Sequence, residues 1–229
     1  MQKLSLFGAL LALLIATGCS TTRVVRPLAA KQAQVGVSIG GPVVYFKAGE
    51  GGRDELLVPF ASFSGAYGIN DRLSVYGGWD ATPILFRVLH LDLGATYGLV
   101  TPNTEKGFGL SGGGGMQVMG SLLSGTVKVM PELTLNTYQA LNDKWYWYAT
   151  SGNAFDFGAS RSSALNTGFW RPSLGVGVGL EGARLHQQLE VKWIGFNEGN
   201  RDAIIGHLGI GGMGQWAFYY SINLKTLGK

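Results

Sequence analysis

The sequence holds one cysteine, Cys19, in 229 residues. No disulfide can form within the chain, so any fold must rest on packing and hydrogen bonds. Charge is scarce: Asp, Glu, Lys and Arg make up 14%, against a usual share of about 25%. The 18 basic residues only slightly outnumber the 14 acidic ones, and no Lys/Arg run forms a patch that would hold nucleic acid. Beyond residue 20 no apolar run reaches the roughly 20 residues of a membrane-crossing helix. No stretch there combines length with the 3.6-residue period of a long helix. The three histidines, His90, His186 and His207, are widely spaced, which excludes a metal-binding pair at i, i+2 or i+4.

Glycine is the outlier in the other direction, with 37 residues, more than twice the usual share of about 7%. Proline is ordinary at 7, and aromatics reach 11%. Disordered chains are poor in aromatics and rich in charge, so this composition points to β-structure with crowded faces or tight bends.

The chain opens on Met1-Gln2-Lys3, a short basic start, and runs uncharged from Leu4 to Gly18. That length fits the apolar core of a secretory signal and is short for a membrane span. The run ends Ile15-Ala16-Thr17-Gly18-Cys19-Ser20, which resembles the bacterial lipobox, with Ala16 where the motif more often has Leu. The resemblance implies cleavage before Cys19 and acylation of Cys19, so that residues 1–18 are a lipoprotein signal peptide. Two or more acyl chains anchor a protein stably where one does not. An Asp after the Cys would resemble the inner-membrane retention signal; Ser20 stands there, which implies the outer membrane. Residues 19–32, rich in Thr, Arg and Ala with one Pro, read as a lipidated tether, and residues 33–229 as the folded domain.

From Gln34 onward apolar residues alternate with polar ones or glycine, the period of a strand. In Val88–Leu99, Leu89, Leu91, Leu93, Ala95, Tyr97 and Leu99 oppose His90, Asp92, Gly94, Thr96 and Gly98. In Trp170–Leu180, Leu174, Val176, Val178 and Leu180 oppose Ser173, Gly175, Gly177 and Gly179. In Leu185–Trp193, Leu189, Val191 and Trp193 oppose His186, Gln188, Glu190 and Lys192. In Gly125–Thr137, Val127, Val129, Leu133 and Leu135 oppose Lys128, Glu132, Thr134 and Asn136. Weaker strands are expected at 34–46, 57–69, 73–79, 107–118, 144–150, 203–210 and 215–224. Asn70-Asp71 and Asn142-Asp143 supply short-turn chemistry, and Gly182-Ala183-Arg184 divides two of the best strands.

Such strands can bury the apolar face, as a soluble barrel or sandwich does, or turn it to lipid around a polar interior. A water-facing surface is normally filled with Lys, Glu, Thr and Arg; here the second face is largely Gly, Ser and Thr with isolated charges. A Gly-rich inside suits a narrow barrel, where opposing walls compete for space. Aromatics such as Trp79, Trp145, Trp170, Trp193 and Trp216 fall near strand ends, as in the interfacial girdles of membrane barrels. Together the strands and turns resemble small outer-membrane β-barrel proteins. The resemblance implies an all-β, antiparallel, up-and-down transmembrane barrel of about 10 strands, with eight or twelve as alternatives. The last residues, Leu224 to Lys229, lack the terminal aromatic usual in such barrels. The polar residues expected to line the lumen are His90, Asp92, Lys128, Glu132, His186, Gln188, Glu190 and Lys192.

Chemistry is thinly signalled. His90 with Asp92, or His186 with Glu190, could join a Ser in a hydrolase site, as in outer-membrane phospholipases and lipid A deacylases, but the plainer reading is a hydrogen-bonded interior. Gly112 to Gly115 lacks the Lys-Ser/Thr and the following helix of a phosphate loop. No catalytic, metal or cofactor residue is assigned, and no cofactor is expected. The leading expectation is a non-enzymatic outer-membrane barrel lipoprotein with a structural or envelope-assembly role. Its partners would be outer-membrane lipid and other envelope proteins, with no nucleic acid. The alternatives are a barrel enzyme acting on lipid or lipopolysaccharide, and a lipid-tethered soluble β-barrel that binds a ligand or partner.

Overall fold

The computed structural model describes residues 22–48, 52–57, 60–102, 107–123, 125, 127–155, 157, 170–195 and 213–226. In chain order the strands are β1 (Ala33–Ala48), β2 (Gly52–Leu57), β3 (Phe60–Asn70), β4 (Leu73–Asp80), β5 (Val88–Val100), β6 (Phe108–Ser121), β7 (Val127–Ala140), β8 (Trp145–Phe155), β9 (Trp170–Glu181), β10 (Leu185–Ile194) and β11 (Met213–Lys225). A 3₁₀ helix, Thr82–Phe86, lies between β4 and β5. From β3 to β11 each strand pairs with the next, always antiparallel. β1 pairs with β3 on one side and with β11 on the other, from Gln34↔Lys225 to Pro42↔Ala217, and this closes the sheet. β2 holds the same register against β1 as β3 does, Val43↔Leu57 following Gly40↔Phe60, so it extends that hairpin beyond the wall. Ten strands therefore close an up-and-down barrel, the even number that such barrels require. The expected strand at 203–210 lies outside the described residues.

The alternation read from the sequence becomes the two faces of the wall. Val176 is 61% exposed and Leu93 55%, and Val35, Val37, Ile39, Leu133 and Leu189 stand out in the same way. Asp92, Thr96, Gln117, Asn136, Gln188 and Glu190 are buried. This inverts a water-soluble protein, in which Asp and Glu are almost never fully buried unless paired and a contiguous apolar outside of this extent is rare. Aromatics gather toward the strand ends: Trp193 stacks on Trp216 at 5.7 Å and Phe63 on Trp79 at 5.7 Å, with Trp145 at the opposite end. From Leu185 to Trp193, at about 3.3 Å per residue and a tilt near 40°, the wall rises about 20 Å, close to the ~25 Å apolar band of outer-membrane barrels.

Glycine makes the inside possible. Tyr76 sits opposite Gly94, Tyr138 opposite Gly109, Tyr148 opposite Gly177 and Tyr146 opposite Gly179. A Cβ on any of these four glycines would run into the ring of its partner. The rings thus lie flat across the neighbouring strand and leave the middle of the lumen free.

The two rims differ. At one, short turns close the β3–β4, β7–β8 and β9–β10 hairpins, and the Asn side chains shape two of them: Asn70 Oδ1 accepts from Arg72 and Leu73 N–H at 2.9 and 2.8 Å, and Asn142 Oδ1 from Lys144 and Trp145 N–H at 3.0 and 2.9 Å. β1 starts and β11 ends at this rim, where Thr226 N–H donates to the Ala33 carbonyl at 2.9 Å. The opposite rim bears the 3₁₀ helix and the longest connections, from Phe155 to Trp170 and from Ile194 to Met213.

Candidate functional site

Residues 22–32, the described part of the tether expected at 19–32, run inside the barrel. The segment enters at the short-turn rim, where Lys31 N–H donates to the Gly68 carbonyl at 2.8 Å and Ala30 N–H to Asp71 at 2.9 Å. It then climbs. Leu28 N–H donates to Ser74 Oγ at 2.8 Å, Ser111 Oγ to the Val25 carbonyl at 2.6 Å, and Thr96 Oγ1 to the Val24 carbonyl at 3.2 Å. A backbone with neither helix nor strand partners must place its polar groups somewhere, and here wall hydroxyls take them. Val25 packs among Tyr138, Tyr146 and Tyr148.

Arg23 is the deepest anchor. Its Nε and Nη2 converge on Asp92 Oδ2 at 3.0 and 2.6 Å, Nη1 donates to Ser62 Oγ at 2.9 Å, and Nη2 lies 3.4 Å from Asp80 Oδ1. His90 Nδ1 holds the other oxygen of Asp80 at 2.6 Å. Gly78 makes room, since a Cβ there would stand 2.6 Å from Arg23 Nη2 and from Asp92 Oδ1. One residue further, Thr22 gives its N–H and hydroxyl to the Glu190 carboxylate at 2.9 and 2.6 Å, and Lys192 Nζ stands 3.5 Å from the same group. An isolated charge costs several kcal/mol inside a protein unless paired and hydrogen-bonded, and these carboxylates are both.

Side-chain ladders run from the segment into the wall. The Val25 carbonyl leads through Ser111 and Asn136 to Thr150, at 2.6, 3.2 and 2.7 Å. Gln117 donates to Glu132 at 2.9 Å. Tyr146 OH meets His186 Nε2 at 2.7 Å and accepts from Gln188 at 3.0 Å. Arg26 lies over the Tyr146 and Tyr138 rings at 5.1 and 5.7 Å and reaches Glu181 at 3.4 Å; Glu181 also pairs with Lys225. Beside Thr22 and Arg23 a cavity of about 30 Å³ remains, room for a water or two. Toward the short-turn rim a vestibule of about 340 Å³ opens beside Arg26, Tyr146, Glu181 and His186.

The sequence matches no protein-family model and no curated protein. Among solved structures, an outer membrane channel from Pseudomonas putida F1 is similar over 90% of this chain and 100% of its own, at 8% identity and a TM-score of 0.47. The translocator domain of the autotransporter NalP from Neisseria meningitidis is similar over 97% and 95%, at 9% identity and 0.44. The NanC porin is similar over 86% and 100%, at 10% identity and 0.39. The likeness is to outer-membrane β-barrels, and it is one of fold alone.

Of the residues expected to line the lumen, His90, Asp92, His186, Gln188, Glu190 and Lys192 are buried, and Lys128 and Glu132 are half-buried on the same face of β7. They form several local networks and no single centre. His90 has a carboxylate behind it, as a catalytic His does, but its Nε2 is buried with no hydrogen-bond partner among the described residues. A nucleophile would have to lie within about 3.2 Å of that nitrogen. Gly112 to Gly115 lies within β6, paired on both sides. Cys19 lies outside the described residues. The sequence reading missed Arg23, Thr22 and Ser111. One signal was present: Val24, Val25 and Leu28 are unusual in a tether that must live in water.

Proposed function

We propose that the chain is a lipid-anchored outer-membrane barrel closed by its own amino-terminal segment, a structural or envelope-assembly element and not an open pore. The observation that carries this is the Arg23–Asp92–Asp80 cluster, which fixes the segment across the lumen and leaves about 30 Å³ beside it. The membrane setting rests on the apolar outside of the wall and its aromatic strand ends; the anchor rests on the lipobox-like run ending at Cys19. Two measurements test it. The protein should resist carbonate extraction and run differently on gels unboiled, and in planar bilayers it should stay closed. Carbonate-soluble protein would overturn the membrane reading, and steady conductance of the intact chain would overturn the closure.

A further inference from the structure

The climbing segment has a direction. Ala30 meets the short-turn rim at Asp71, Leu28 meets Ser74 near the start of β4, and Arg23 meets Asp80 at the far end of β4. Read toward the amino terminus, the chain moves from the short turns toward the long loops. From Asp71 to Asp80, at about 3.3 Å per residue and a tilt near 40°, that climb is about 23 Å.

We infer that the amino terminus leaves the barrel at the long-loop rim, so that a lipid on Cys19 enters the leaflet beside the long loops and not the one beside the short turns. This rests on the lipid-anchored reading above. Reach decides it. Cys19 precedes Thr22 by three residues, a span of at most about 11 Å. From Glu190, where Thr22 is held, to the end of β10 at Ile194 is about 10 Å along the barrel axis, within that reach. On the same strand the short-turn rim at Leu185 lies about 13 Å away in the other direction, beyond that reach and past the chain's own plug.

A second observation concerns where acyl chains could settle. The most exposed large apolar side chains of the described residues are Leu85, Leu123, Val127, Phe157 and Leu122, and all five stand at the long-loop rim. Leu122 N–H donates to the Arg87 carbonyl at 2.8 Å, which joins the turn after β6 to the end of the 3₁₀ helix. An apolar lobe at that rim fits the acyl region of a lipid leaflet.

The test compares three epitope insertions in the full-length chain: between Ser20 and Thr21, within Leu122–Gly125, and within Gly182–Arg184. Antibody binding is measured on intact and on permeabilised cells, and heat-modifiable mobility verifies that each variant assembles. The amino-terminal epitope is expected to behave like the one at Leu122–Gly125 and opposite to the one at Gly182–Arg184. An amino-terminal epitope that follows Gly182–Arg184, or that stays hidden in both preparations, overturns the inference. If the insertion blocks assembly, Thr21→Cys labelled with a membrane-impermeant maleimide reads the same question: labelling from the long-loop side supports the inference, while labelling from the other side or none overturns it. Acyl-label incorporation is scored on the same proteins. Its loss with the epitope at the long-loop side would sink the lipid anchor and leave the path of the chain standing.

Discussion

Arg23 and Asp92 meet inside the lumen, with two guanidinium nitrogens on one carboxylate oxygen at 3.0 and 2.6 Å and both side chains more than nine-tenths buried. The contact joins a segment that precedes the barrel to the barrel's own wall. Removing one partner of a buried pair costs about 3–5 kcal/mol, because a charge is left behind. Arg23→Ala should therefore lower the temperature of the heat-modifiability transition and open the barrel to ions in planar bilayers. Arg23→Met combined with Asp92→Leu should recover much of the stability while the conductance persists. An Arg23→Ala protein as stable and as closed as the parent would count against the plug.

Glu190 receives two hydrogen bonds from Thr22 and stands beside Lys192. Glu190→Ala should cost clearly more than the ~0–1 kcal/mol of an exposed pair, read by urea unfolding in detergent. It should also make the segment around Arg23 and Arg26 cleavable by trypsin in the assembled barrel. Loss below about 0.5 kcal/mol, with the segment cleavable in parent and variant alike, would place this face in water.

The outer face is tested by charge. Val176→Arg and Leu93→Arg should each impair membrane assembly, at about 2–4 kcal/mol if they sit at mid-bilayer. Gly120→Ser should not, since a Cβ at Gly120 meets nothing within 4 Å. Equal yields of assembled protein for all three would argue against a lipid-facing outside.

The inner face is tested by volume. Gly177→Ser and Gly179→Ala each push an atom into a buried tyrosine ring, Tyr148 and Tyr146. From the sequence alone Gly177→Ser is expected to be mild, because it keeps a small polar residue on the polar face. The structure changes that expectation: the loss should be about 1–3 kcal/mol, as for other overpacked interiors. Shortening the ring, Tyr148→Leu with Gly177→Ser, should return part of it. The check is the unfolding midpoint of the single and the paired variant.

Cys19→Ala should abolish incorporation of an acyl label and leave a longer precursor. Normal processing and labelling of that variant would remove the lipoprotein reading, whatever the state of the barrel.

The strands, their faces and two of the turns were legible in the sequence because each is a local property. Alternation at Leu185–Trp193 needs only a period of two, and Asn70 and Asn142 bond to backbone two and three residues on. The sequence also carried the paired faces and the excess of glycine, but not what each glycine was for. That Gly177 and Gly179 oppose Tyr148 and Tyr146 depends on the register between strands, which only the assembled sheet sets. The tertiary structure alone decided the place of residues 22–32. Arg23 finds Asp92 at a separation of 69 residues and Thr22 finds Glu190 at 168. No local pattern encodes those meetings; they exist because closing the barrel brings β5 and β10 to opposite sides of a narrow polar space that an extended chain can fill.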